Sequence, residues 1–268
     1  MDNAPNDGVE IFIRSPRATE MDTDEVLEKL ERYGNEPVRT YLEYLVLTRE
    51  SDRAEHHTRL ACSYVRDVKR EIQSAQAGEI QILIDKFKQS VNPMEIGGHD
   101  QTFVAYLGRH QQTELVRRRL LLIRLLQQSS QYDPPTLFQA ISEAGPLNIE
   151  RVIIYGRMKE HEEALRILIH ELEDFVGAET YCVTNGQSTG AVPDIAPVHT
   201  TMITPARTSS LNRFEKTASS KKKKKAGKEA TPLTQEESAQ QLNERRQLFS
   251  MLLKTYLAIK ERGTAINS

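Results

Sequence analysis

Apolar residues recur at three- and four-residue steps along most of this chain, and the pattern is clearest between Leu147 and Val183. It predicts two short helices joined by a tight polar turn, followed by the start of a third helix. Asn148 is expected to cap the first helix, and Gly177 is expected to end the second in a left-handed conformation. The second helix carries one continuous apolar stripe, formed by Leu165, Leu168, Ile169, Leu172 and Val176.

A helical hairpin of this size cannot bury its apolar stripe alone, so it needs a similar hairpin on each side. The rest of the chain repeats the same alternation of amphipathic helices and turns. Residues 1–20 are expected to be irregular, with a short strand-like run from Val9 to Ile13. Further helices are predicted at about 22–32, 37–47, 54–72, 113–129 and 136–144. The sequence therefore predicts an all-α fold, an α-solenoid of stacked helical hairpins.

Changes in composition indicate the domain organisation. The solenoid repeats are expected to occupy residues 21–183, with 74–112 as a partly ordered insertion that proline, glycine and glutamine interrupt. Residues 184–234 are rich in Ser, Thr, Pro, Gly and Lys, and they hold too little apolar surface to offset the entropy of ordering, so we predict a disordered linker. Residues 235–268 are predicted to form one apolar-faced helix, the start of an incomplete repeat.

Composition excludes several classes of function. The chain has 268 residues with 36 Lys+Arg, 38 Asp+Glu and a formal net charge of −2, which argues against nucleic-acid binding by the whole protein. No run of about 18 apolar residues indicates a membrane span, and the first residues lack the pattern of a secretory signal. Cys62 and Cys182 are too few for a disulfide framework, so reduced thiols are expected.

No arrangement of residues predicts an active site, a cofactor or a bound metal. The seven histidines show no ligand spacing with one another or with cysteine on one helix face. Cys62 and Cys182 are interpreted as small buried apolar residues, because no neighbouring base marks a nucleophile. Gly97-Gly98 lacks the lysine and the strand-to-helix setting of a phosphate-binding loop.

Two basic features have structural interpretations. Arg117, Arg118, Arg119 and Arg124 lie on a strongly apolar predicted helix, so we expect their stems to cover apolar surface and their guanidinium groups to pair with acids of a neighbouring helix. The run Lys221–Lys225 is interpreted as part of a solvated linker, with anionic lipid binding or a nuclear address as alternatives.

Two blocks of sequence resemble one protein family in the same order. Glu162–Leu172, with Asp174-Phe175 and Ala178–Cys182 after it, resembles the HEEALRIL.HEL.DF..AE.YC signature of the Vam/vacuolar-sorting and transforming-growth-factor-β-receptor-associated family. Tyr41–Val46 and Glu55–Ala61 resemble the family segment YLE.LV…E.HT.LA. The amino-acid sequence of these blocks is most similar to the fungal early-endosome type of this family.

The resemblance implies a non-enzymatic scaffold subunit of the CORVET or HOPS complexes, which tether endosomal or vacuolar membranes in vesicle-mediated protein transport. It implies clathrin-heavy-chain or TPR-like repeats, peripheral membrane association from the cytoplasm, and core subunits of the vacuolar-sorting complex as partners. Family members place an N-terminal β-propeller, associated with Rab GTPase binding, before the solenoid. The sequence shows neither that propeller nor the paired-cysteine zinc element of some members, so we expect a solenoid portion, with Rab binding only through the missing propeller.

The apolar face predicted for 242–259 is the candidate partner-binding surface, with Leu248, Phe249, Leu252 and Tyr256 as its expected contact residues. The alternative to a tethering subunit is a generic helical-repeat adaptor, such as a chaperone or receptor-signalling scaffold. An all-helical enzyme is the least supported class, because no site motif is present.

Overall fold

The computed structural model describes residues 5–15, 20–74, 78–90, 101–111, 113–195 and 233–266, with side chains from residue 8 and, in the last range, at 240–258. All regular structure in these ranges is helical, which confirms the all-α prediction. The helices are α1 (Pro5–Arg14), α2 (Thr23–Glu31), α3 (Asn35–Glu43), α4 (Ala54–Ser74), α5 (Glu79–Ser90), α6 (Phe103–Arg109), α7 (Glu114–Gln128), α8 (Pro134–Ser142), α9 (Asn148–Met158), α10 (His161–Arg166), α11 (Phe175–Val183) and α12 (Leu233–Ile266).

Two π-helical turns extend helices past their α-helical ends. Tyr44–Thr48 continues α3, and Ile167–Glu171 continues α10. Of the helices in the described ranges, none is both long enough and apolar enough to cross a lipid bilayer.

The first compact unit has residues 5–15, 20–64 and 131–133 as its described part. Asp22 caps α2 by accepting a hydrogen bond from the Asp24 amide at 3.0 Å. Helix α3 contacts both α1 and α2. The buried core contains Val26, Leu27, Leu30, Tyr41, Leu42, Leu45 and Leu60.

The second unit contains the hairpin with the clearest sequence pattern, and its described part is 65–74, 78–90, 101–111, 113–130, 134–195 and 233–266. Helix α9 lies between α8 and α10, α7 contacts α9, and the π-helical turn after α10 contacts α9 and α11. Each helix thus packs mainly on its neighbours in sequence, which is consistent with stacked hairpins of a solenoid. The predicted stripe is buried at Leu165, Leu168, Ile169 and Leu172.

The N-terminal segment differs from the expectation. The run from Val9 to Ile13 lies in helix α1, so the strand-like interpretation is wrong. Val9 is fully buried, and Phe12 and Ile13 are half-buried. Since these residues are three and four positions apart, a helix places them on one side, and α1 contacts α3.

Two predicted helix ends are also wrong. Asn148 is the buried first residue of α9 and makes no capping hydrogen bond. Gly177 lies inside α11, and the left-handed residue that follows the π-helical turn is Glu173, with φ 56°. A Cβ atom at Gly177 would overlap the Asp174 carboxylate, so the glycine is required for space and not for its φ angle.

The predicted insertion is more regular than expected in its described part. It contains α5 and α6, which pack through the rings of Phe87, Phe103 and Tyr106, with centroid distances of 5.1 and 5.3 Å from Phe87. Residues 75–77, 91–100 and 112 of the insertion lie outside the described residues.

The first residues of the predicted disordered linker are ordered. Residues 184–195 follow α11 in a defined conformation, whereas residues 196–232, including Lys221–Lys225, lie outside the described residues. The predicted C-terminal helix is present as α12. The domain boundaries themselves stay a prediction.

Two of the four arginines of α7 pair with acids on neighbouring helices, as predicted. The other two differ from the prediction: Arg124 donates to a backbone carbonyl, and Arg117 pairs with an acid of its own helix. Arg119 donates two hydrogen bonds of 2.9 Å to Glu150 of α9, and both side chains are completely buried. Arg118 donates a hydrogen bond of 3.1 Å to Asp67 of α4. These ion pairs hold α7 against the helices on two of its sides.

Candidate partner-binding surface

One side of helix α12 is used to pack against the hairpin helices α10 and α11. Leu248 and Leu252 are buried on this side, with 3% and 6% of their surface exposed. The ring of Tyr256 stacks on Phe175 of α11 at a centroid distance of 5.2 Å. Arg245 donates a hydrogen bond of 3.3 Å to Asn185, in the turn after α11. Burial of the apolar side chains among these residues holds α12 against α10 and α11.

A different side of α12 presents apolar side chains to solvent. These residues follow one another at steps of seven, four and four, which places them on one side of a helix. We call this set the outer ridge: Leu242 (52% exposed), Phe249 (42%), Leu253 (60%) and Leu257 (52%). Scattered exposed leucines are normal on protein surfaces, but an aligned row marks a surface that another protein can cover.

The structure therefore separates the four residues that the sequence analysis selected. Leu248 and Leu252 face the protein's own hairpin, whereas Phe249 belongs to the outer ridge. Tyr256 lies at the border: it is 37% exposed, and burial together with the Glu179 carboxylate raises its pKa to about 12.

Sequence reasoning did not select Leu242, Leu253 and Leu257 as contact residues. The helical phase of the apolar positions would separate them from Leu248 and Leu252. Phase alone does not indicate which of the two groups is packed. Ile259, at the end of the predicted face, lies beyond the described side chains.

A cavity of about 320 Å³ lies beside α12 and is lined by polar groups that include Lys159, His161 and Glu244. His161 Nδ1 and the Tyr181 hydroxyl are 2.7 Å apart. Burial lowers the pKa of His161, and the Lys159 ammonium lowers it further, so the imidazole is neutral at pH 7. Across the described residues, no group of three His, Cys, Asp or Glu side chains is placed to hold a metal ion.

The two cysteines differ in their surroundings. Cys182 is fully buried, as predicted, and burial raises the pKa of its thiol to about 12, which keeps it protonated and poorly nucleophilic. Cys62 is only half-buried, so the prediction of a buried residue is wrong there.

Comparison with known proteins finds relatives among receptor-associated and vacuolar-sorting proteins. Over 188 residues the chain is 32% identical to transforming growth factor-beta receptor-associated protein 1 of Mus musculus, covering 69% of this chain and 18% of that protein. It is 26% identical over 180 residues to vacuolar sorting protein 3 of Arabidopsis thaliana, covering 67% of this chain and 17% of that protein.

A third relative is the Vam6/Vps39-like protein of Homo sapiens, 29% identical over 179 residues, which covers 66% of this chain and 18% of that protein. In each case the match spans less than a fifth of the relative's length. No family model matches the chain, and no solved structure matches it.

Proposed function

We propose a function from one premise, that this chain is a homologue of transforming growth factor-beta receptor-associated protein 1 and the Vam6/Vps39-like proteins. It acts as a non-enzymatic scaffold within a membrane-tethering complex of the CORVET or HOPS type, in vesicle-mediated transport to endosomes or vacuoles. Its contribution is protein–protein contact, and the outer ridge of α12 is the observation that carries this proposal. The chain reaches endosomal or vacuolar membranes peripherally, through the complex that it joins.

The outer ridge fits an apolar helix of a partner. From Leu242 to Leu257 it extends over fifteen residue steps, about 22 Å, which is the length of a typical amphipathic helix. Burying each of its leucines would contribute about 1.5–3 kcal/mol, so a few such contacts are sufficient for specific binding.

The charges around the ridge specify the partner further. Arg245, Arg246 and Lys254 are exposed on α12, whereas Glu244 is the one acid among the described side chains of this helix. A partner helix with acidic residues beside its apolar stripe would therefore complement the ridge. We propose that a core subunit of the vacuolar-sorting complex supplies this helix.

The double substitution Leu253→Glu and Leu257→Glu tests the proposal. We expect recovery of the vacuolar-sorting core subunits in affinity purification of the tagged chain to fall at least 10-fold, because two leucines of the ridge are replaced by carboxylates. Both residues are exposed, so the melting temperature should stay close to that of the wild type. Quantitative mass spectrometry measures the recovery.

Lys86→Glu is the matched control, since it changes the net charge by the same amount at an exposed position of another helix, α5. We expect it to retain most of the recovered core subunits. Equal recovery with the double substitution and with the control would contradict the role of the ridge. Recovery of chaperones or of receptors in place of core subunits would favour a helical-repeat adaptor, an alternative that agrees with the name of the receptor-associated relatives.

A further inference from the structure

The segment that follows α11 crosses the surface of α6 and α7 and is held there by its backbone. We call residues Ser188–Asp194 the strap. Three of its carbonyl oxygens accept hydrogen bonds from side chains of the second unit. The donors are Gln127 to Gly190 O at 3.1 Å, Arg124 to Pro193 O at 2.8 Å, and Gln111 to Asp194 O at 2.9 Å.

The turn before the strap directs the chain towards the surface of α6 and α7. The Ser188 amide donates a hydrogen bond of 3.1 Å to the Thr184 hydroxyl, and Ser188 O lies 2.9 Å from the same hydroxyl oxygen. Asn185 and Gly186 between them have left-handed φ angles of 53° and 76°. Beyond the turn, Thr189 and Gly190 are buried.

Two positions of the strap match the shape of the surface beneath them. Gly190 has φ 143°, and a Cβ atom there would lie 2.5 Å from Thr102 Oγ1, so a residue with a side chain does not fit. The ring of Pro193 rests on Gly108 of α6, where any Cβ atom would overlap it. A glycine inside a helix costs about 1 kcal/mol relative to alanine, and at this position it opens the space for the proline ring.

We propose that this surface, formed by Thr102, Gly108, Gln111, Arg124 and Gln127, is a binding groove for extended peptides with the pattern Gly-x-x-Pro, and that the strap is its resident occupant. The donors bind backbone carbonyls, which every extended peptide presents. The groove selects peptides that place a glycine over Thr102 and a proline ring over Gly108. Ala191 and Asp194 are exposed, so the groove leaves these side chains unspecified.

The strap is part of the same chain, so it fills the groove at an effective concentration on the order of millimolar. A separate peptide of the same pattern therefore binds only where the strap has been released. This inference is independent of the proposed tethering function, since the groove lies on α6 and α7 and its test uses no protein partner.

The test is a fluorescence-anisotropy titration with a labelled peptide of the sequence Gln187–Ile195, QSTGAVPDI. The full chain carrying Gly190→Val and Pro193→Glu, in which the strap no longer fits, is expected to bind the peptide at least 10-fold more tightly than the wild-type chain. Adding Gly108→Val to that variant should abolish the gain. Ala191→Ser, an exposed position of the same strap, is the matched control and should bind as weakly as the wild type.

Equal binding by the wild-type and strap-released chains, or binding that is insensitive to Gly108→Val, would overturn the proposal. Gly108→Ala alone gives a second measurement that does not depend on the double substitution. We expect hydrogen exchange of the buried Gly190 amide, which donates to Ser188 Oγ at 3.1 Å, to accelerate at least 10-fold, while α6 itself gains helix propensity and keeps its protection. Unchanged exchange of this amide would count against the groove.

Discussion

Replacing Glu150 with alanine is expected to destabilise the second unit by about 3–5 kcal/mol, because it leaves the guanidinium of Arg119 buried without its counter-charge. Neither side chain of the pair is exposed to solvent, and the two hydrogen bonds of 2.9 Å join α7 to α9. Glu150 also lies in the first turn of α9, where the helix dipole favours a negative charge. Urea unfolding followed by circular dichroism measures the loss.

The pair itself is expected to contribute much less than the single substitution suggests. Arg119 Nη1 makes no hydrogen bond within the described structure, so the desolvation of this guanidinium is incompletely compensated. The variant that carries both Arg119→Met and Glu150→Leu should therefore have a free energy of unfolding within about 1 kcal/mol of that of the wild type. A double variant as unstable as Glu150→Ala would contradict this account.

Arg166→Ala is the matched control for a surface ion pair. Arg166 and Glu163 are separated by 2.8 Å, but both side chains are nearly half-exposed. Water and salt screen such a pair, so we expect a loss below about 1 kcal/mol. The comparison separates the effect of burial from the effect of the ionic contact.

Replacing Asp174 with alanine is expected to lower the free energy of unfolding by about 2–4 kcal/mol, because two buried backbone N–H groups lose their acceptor. The carboxylate accepts hydrogen bonds of 2.8 Å from the Phe103 amide at the start of α6 and from the Gly177 amide in α11. Asp174→Asn keeps one acceptor oxygen and should cost about half as much. Urea unfolding of the two variants and of the exposed control Glu162→Gln, which should change little, measures the difference.

The same carboxylate predicts a pH dependence of stability. Burial raises the pKa of Asp174 from 3.8 to about 6, and the two N–H donors only partly oppose this effect. A group whose pKa is raised by folding binds its proton more tightly in the folded state. Its contribution to stability is therefore complete below pH 3.8 and is lost as the pH rises through about 6.

The stability advantage of the wild type over Asp174→Asn should accordingly grow as the pH falls from 7 to 4.5. Asparagine has no proton to lose, so the other titrating groups cancel in the difference. Unfolding free energies at several pH values measure it. An advantage that is constant, or that grows with rising pH, would show that the N–H donors outweigh burial at this site.

Asp174 illustrates how far local sequence reasoning extends. Asp174 and Phe175 form part of the matched family signature, and an aspartate before a helix is a familiar cap. Its bond to the Phe103 amide joins residues 71 positions apart, which no local pattern indicates. Glu150 presents the same difficulty, since an acid in the first turn of a helix is usually solvated.

Helix α12 and the strap show a second limit. The apolar residues of α12 were recognisable from their spacing, but the division between packed Leu248 and Leu252 and exposed Leu253 and Leu257 depends on where α10 and α11 lie. The polar, glycine-containing composition of 184–195 predicted disorder. Its order comes from hydrogen-bond donors at Gln111 and on α7 and from the space above Gly108 of α6, and composition indicates neither.

The sequence by itself determined that the chain is helical, where most of its helices lie, that arginines such as Arg118 and Arg119 of α7 pair with acids, and which proteins it resembles. These properties depend on the spacing of apolar residues and on motifs within short stretches of chain. The tertiary structure alone decided which acid Arg119 contacts, which amides Asp174 caps, which side of α12 stays exposed and where the strap binds. Burial and hydrogen bonding between distant residues set these features, because the environment of a side chain depends on every element packed against it.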